Sequence, residues 1–76
     1  MNKNEPINHL SRREQQIMDV VYSLGKVTAT EVVENLSDPP SYSAVRALLR
    51  ILEEKGHLRH EQIGQKYIYL PTVMRE

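Results

Sequence analysis

The 76-residue sequence predicts an α+β domain, mainly helical, in which three helices are followed by a two-stranded antiparallel hairpin. Three observations carry that prediction. Apolar residues recur at helical spacing in three separate runs before residue 56, and each run opens on a serine or threonine suited to capping a helix. After Gly56 the apolar period drops from 3.6 to about two, the period of a strand. Gly25, Pro39, Pro40, Gly56, Gly64 and Pro71 fall between the runs, where the chain has to turn.

The first helix is predicted over 12–24. Ser11 and Glu14 fit a capping box, and Leu10, Ile17, Val20, Val21 and Leu24 recur at helical spacing until Gly25 ends the run. After a short Gly-Lys-Val link, Thr28 and Glu31 repeat the capping box. Ala29, Val32, Val33 and Leu36 then place a second helix over about 29–36. The Ser-Asp-Pro-Pro stretch at 37–40 cannot continue it, because each proline lacks an amide donor and disfavours helical geometry in the residue before it. Ser41 caps a third helix that runs through YSAVRALLRILEEK to Gly56, which is placed for a left-handed C-terminal cap. HLRHEQ and KYIYL then read as the two strands of a hairpin with Gly64 at its tip, the second strand ending at Pro71. Tyr67 and Tyr69 share one face of that strand, and Ile68 and Leu70 the other. The alternation leaves open which pair points inward. Three helices and a hairpin, with a helix-turn-helix formed by the second and third, make the winged helix-turn-helix arrangement over 10–71. Residues 1–9 are expected to be a flexible N-terminal segment.

Composition excludes several functions. The chain has no cysteine, so disulfides, thiolate metal sites and cysteine nucleophiles are unavailable. His57 and His60 are three apart on a strand and so point to opposite faces, which argues against a shared metal. No metal and no cofactor are expected. Nothing resembles a nucleophile elbow, a phosphate loop or paired carboxylates in a cleft, so an enzyme is not expected either. No stretch is long and apolar enough for a signal peptide or a membrane span, which points to the cytoplasm. Net charge is zero, but its distribution is uneven: residues 1–40 carry net −2 and residues 41–76 net +2. Positive charge thus accompanies the third helix.

That helix has one apolar face, Val45, Leu48, Leu49 and Leu52, and Ser43, Arg46, Ala47 and Arg50 fall opposite. Small side chains among arginines let a backbone approach a surface closely while the guanidinium groups reach past it. Entry into a DNA groove requires such a face.

The run from Leu10 to Pro71 resembles the DNA-binding domain of the penicillinase repressor family, the BlaI/MecI-type repressors, with CopY-type copper repressors as relatives. The resemblance rests on EQQIMDVVY, TATEVVE, DPPSYSAVRALLRILEEKG and the GQKYIY wing. It implies a bacterial transcriptional repressor that binds an inverted-repeat operator as a homodimer, with TACA/TGTA-type half-sites, and blocks a promoter by occupying it. Three positions depart from the family pattern. Tyr22 stands where tryptophan is usual, Ile51 where relatives often carry a basic residue, and Gln65 where arginine is common. Ile51 should therefore leave an exposed apolar side chain or one fewer phosphate contact. The family continues into a helical dimerisation segment after the wing, and residues 72–76 would begin that segment or its linker. On that reading this chain is monomeric or weakly associating.

Within this frame, Ser43, Arg46, Ala47 and Arg50 are expected to read bases, with Ala44 joining from the flank. Thr30, Ser41, Arg12 and Arg13, at helix starts, and Gln65 and Lys66, at the wing, are expected at the DNA backbone. Ser41 serves first as a cap. The tyrosines of the wing are expected to pack in the core or sheet and not to stack on bases. The rival reading is a winged helix used for protein contact, with Ile51 and the third helix meeting a partner instead of DNA.

Overall fold

A computed structural model of the chain describes residues 10–73. The expected flexible segment over 1–9 lies outside the described residues, as do residues 74–76. The elements are α1 (Arg12–Leu24), α2 (Ala29–Asn35), α3 (Tyr42–Glu54), β1 (Leu58–Ile63) and β2 (Lys66–Pro71).

Each helix starts where its cap dictates. Both expected capping boxes form: the Ser11 hydroxyl accepts from the Glu14 amide and Glu14 accepts from the Ser11 amide, and Thr28 and Glu31 repeat the exchange. Ser41 Oγ accepts from the Ala44 amide at 3.1 Å. α2 ends at Asn35, one residue short of the expected end, because Leu36 already has extended backbone as the chain approaches Pro39. α3 stops at Glu54, and Gly56 follows with φ 87°, the left-handed geometry that makes glycine suitable there.

The strands pair antiparallel from Leu58 opposite Pro71 to Ile63 opposite Lys66, so Gly64 and Gln65 alone form the turn. φ is positive at Gly64, 63°, and not at Gln65, the pattern of a II′ turn. The strands differ slightly from expectation. β1 is shifted by one residue, and Pro71 is the last residue of β2 instead of its terminator, a position at the end of an edge strand that costs no ladder hydrogen bond. The link between α1 and α2 does more than connect: Val27 exchanges both backbone hydrogen bonds with Tyr69, at 3.0 and 2.7 Å. This one-residue bridge fastens β2 to the start of α2.

The core is one cluster drawn from every element: Ile17, Met18 and Val21 of α1, Val27, Ala29 and Val32, then Val45, Leu49 and Leu52 of α3, with Leu58 and Tyr69 from the hairpin. Leu48 is only half-buried at the edge of this cluster, and Leu24, expected on the apolar face of α1, is 48% exposed at the helix end. Met18 takes the interior place instead. Burial along β2 answers the question of which face points inward with a gradient. Tyr69 is 5% exposed, Ile68 and Leu70 are half-buried, and Tyr67, nearer the turn, is 39% exposed. The hairpin lies on the helices at its base and projects past them at its tip. Ile51, expected to leave an exposed apolar side chain or one fewer phosphate contact, is half-buried, while Tyr22 packs partly against the core.

One long-range ion pair ties the first helix to the third. Glu14, 4% exposed, accepts from Lys55 Nζ at 3.0 and 3.1 Å. Burial works to raise the Glu14 pKa, but the Ser11 amide and the Lys55 ammonium outweigh it and hold the carboxyl below its ordinary value.

Candidate nucleic-acid interface

α3 presents its polar side next to the wing because its opposite side is taken by the core. Val45, Leu49 and Leu52 point inward with no exposure, which turns Ser43, Arg46, Ala47 and Arg50 outward. These four line one groove with Glu53 of the same helix and with His60, Tyr67 and Tyr69 of the wing. The expected base-reading set is thus gathered on one surface, except for Ala44. That residue is half-buried on the flank, where its amide serves the Ser41 cap.

A second groove adjoins the first and shares Arg46, Tyr67 and Tyr69 with it. Thr30, at the start of α2, and Gln65 and Lys66, at the wing turn, line it together with Tyr42. Three of the expected backbone contacts therefore lie beside the base-reading set. The others do not join them there. Ser41 is exposed as the cap of α3 and lines neither groove. Arg12 and Arg13 line a separate depression with Ser37 and Asp38 that shares no residue with either groove, and Arg13 Nη1 donates to Gln16 at 3.1 Å.

Among the described residues, Arg46, Arg50 and Lys66 have no carboxylate partner, whereas Lys55 and Arg59 are paired with Glu14 and Glu61. Three cations on one surface remain available to an anion. The Arg46 guanidinium lies 5.9 Å from the centroid of the Tyr42 ring, close enough for a cation–π contact that limits its freedom.

Several groove residues lie outside the expected DNA-contacting set. Tyr42 sits one turn before Arg46, a spacing that places it on the same helix face. Tyr67, read as a packing residue, does pack: its ring stacks on His60 at 4.3 Å and 8°. Tyr67 also lines both grooves. His60 and Glu53 meet across the groove floor, with Nδ1 2.8 Å from each carboxylate oxygen. Burial, and after it the nearby Glu53 carboxylate, push the Tyr69 phenol pKa up, so Tyr69 stays a neutral phenol on this surface. Among the described residues no group of histidine and acidic side chains is arranged to hold a metal ion.

Residues 10–76 match the family model described as penicillinase repressor. The chain is 28% identical over 69 residues to the penicillinase repressor of Bacillus licheniformis, covering 88% of this chain and 54% of that protein. It is 30% identical over 71 residues to an uncharacterized 16.5 kDa protein of Latilactobacillus sakei, covering 91% and 49%. The chain thus spans about half the length of the curated relatives it matches. Among solved structures it is similar to the DNA-binding domain of the repressor BlaI, with a TM-score of 0.77 and 26% identity over 92% of this chain and 88% of that one. It is likewise similar to the monomeric form of Bacillus licheniformis BlaI in complex with the blaP half-operator, with a TM-score of 0.73 and 26% identity over 90% and 85%. The CopR repressor structure matches with a TM-score of 0.70 and 31% identity over 88% and 99%. With the family model matching nearly the whole described fold, and winged-helix structures superposing on it, the chain belongs to the penicillinase repressor family.

Proposed function

We propose that this chain is the DNA-binding part of a transcriptional repressor: α3 enters the major groove of double-stranded DNA while the wing and the start of α2 hold the flanking backbone. The observation that carries the reading is the pair of arginines without a carboxylate partner, Arg46 and Arg50, standing among Ser43 and Ala47 on the outward side of a helix whose other side is core. Arginine forks match guanine O6 and N7, and alanine packs on a thymine methyl. Lys66, Gln65 and Thr30 lie beside them at the distance of one adjoining groove, suited to contacts that position without reading. The family's repressors, and the similar BlaI structure described with a half-operator, support DNA as the ligand. Repression follows by occlusion. A protein seated on an operator that overlaps a promoter excludes polymerase, and two copies bound to inverted TACA/TGTA-type half-sites would occupy it as a homodimer. The half-burial of Ile51 weighs against the protein-contact alternative. The test is a titration of the chain against a duplex carrying one such half-site and against a scrambled duplex. Tighter binding to the half-site, weakening steeply with salt, supports the reading. Equal binding to both duplexes overturns specificity, and no binding to either overturns DNA as the ligand.

A further inference from the structure

Among the described residues, the groove between α3 and the wing contains a single acid. Arg46 and Arg50 line it from α3, and among the described residues Glu53 is the only carboxylate that lines it. On a surface that meets phosphates, a lone carboxylate opposes binding unless its charge is cancelled. Glu53 has such a partner in His60, whose Nδ1 lies 2.8 Å from both carboxylate oxygens. An ionised carboxylate only accepts, so Nδ1 carries a hydrogen. The imidazole is held from its face as well, by the Tyr67 ring stacked on it and by the Tyr69 ring tilted against it at 5.8 Å. Both members of the pair are about one third exposed, His60 at 30% and Glu53 at 33%, so solvent protons and the field of a bound polyanion reach them.

We propose that Glu53 and His60 form a titratable clip that positions the wing for DNA binding: protonated His60 cancels the Glu53 charge beside Arg46 and Arg50 and holds Tyr67 in the groove, so that binding DNA takes up a proton. The inference rests on reading this groove as a DNA-binding surface. Its direction follows from the charges around the imidazole. α3 contributes Arg46, Arg50 and Glu53, and β2 contributes Tyr67 and Tyr69. On β1, the neighbours Arg59 and Glu61 pair with each other at 3.4 Å and alternate to the opposite strand face. No residue of α1 or α2 lines this groove. When His60 is neutral, Glu53 therefore subtracts one positive charge from the surface that Arg46 and Arg50 present. Phosphates favour the imidazolium, and by reciprocity the imidazolium favours phosphates. DNA affinity is therefore higher with His60 protonated than with it neutral.

The experiment measures binding of a fluorescent duplex carrying one TACA-type half-site at about pH 6 and about pH 8, at fixed ionic strength. The parent chain is expected to bind about twofold to fivefold more tightly at the lower pH, the scale of one partly exposed charge pair. His60→Gln keeps a donor for Glu53 but cannot ionise, so it should remove that pH response. His9 and His57 are common to both chains and cancel in the comparison. Glu53→Gln, which leaves the imidazole in its stack, should bind more tightly than the parent at the higher pH. Thermal unfolding of each variant identifies one that has lost its fold, in which case the other carries the test. An unchanged pH response in His60→Gln overturns the proposal, as does weaker binding by folded Glu53→Gln at the higher pH, the mark of a clip that is only structural. Failure of the parent chain to bind the duplex at either pH removes the DNA-binding reading and this inference with it.

Discussion

Arg46 and Arg50 stand out by contrast with Lys55 and Arg59. Lys55 and Arg59 spend their charge on Glu14 and Glu61, while Arg46 and Arg50 face solvent between small side chains with no carboxylate to neutralise them. If each pairs with a base, Arg46→Ala or Arg50→Ala should weaken binding to the preferred duplex by about 1–3 kcal/mol and relax specificity, measured as the ratio of affinities for half-site and scrambled DNA. An unchanged ratio in both variants would remove α3 as the reader. The helical period was enough to place these two arginines on one face with Ser43 and Ala47, since that inference needs only 100° per residue. It could not find the aromatic floor beside them. Tyr67 and Tyr69 have the same parity on β2, yet one is exposed and the other buried, because burial there depends on how far the hairpin extends past the helices. The stacking of Tyr67 on His60 depends in turn on strand register, in which His60 faces Tyr69 and lies diagonal to Tyr67.

At the scale of elements, the wing is a short lever fastened at its base and free at its turn. Val27 and Leu58 hold the base, while Lys66 sits beside the turn, exposed and unpaired. Lys66→Ala should therefore weaken all duplexes about equally and reduce the salt slope by roughly one unit, the effect of one phosphate contact. A loss confined to one sequence would show that the wing reads bases. α1 and α3 are joined by the buried Glu14 and its partner Lys55. Because the folded Glu14 pKa lies below its ordinary value of 4.5, the stabilisation is fully present above that value and is lost as pH falls through the folded value. Glu14→Gln keeps an acceptor for the Ser11 amide but loses the charge, so it should cost about 1–3 kcal/mol near neutral pH. The difference from the parent chain should shrink below about pH 4.5. Chemical denaturation across that range checks both statements, and a constant difference would refute the ionic account. The capping boxes made the starts of α1 and α2 legible from four residues. The Val27 bridge was not, since a one-residue strand has no period to detect.

For the whole molecule, zero net charge and a DNA-binding reading are compatible because charge is segregated: the half from residue 41 onward carries net +2 and includes all three unpartnered groove cations. A single winged helix contacts one half-site, and the proposed homodimer gains by making the second half-site an intramolecular event. Fusing a parallel coiled coil after Glu76 through a suitable linker should raise affinity for a two-site duplex by about 10² to 10⁴ and leave affinity for a one-site duplex nearly unchanged. Equal gains on both duplexes would show that the fusion acts by something other than paired sites. The central claim is that one surface, α3 with the adjoining wing, meets DNA. Amide chemical-shift mapping of the isotopically labelled chain during titration with a half-site duplex tests it most directly. The account predicts that the largest perturbations fall on residues 41–50, on Thr30 and on 64–67, with little change along the outward side of α1 between Gln15 and Ser23. Perturbations centred on α1, with α3 and the wing unmoved, would contradict it.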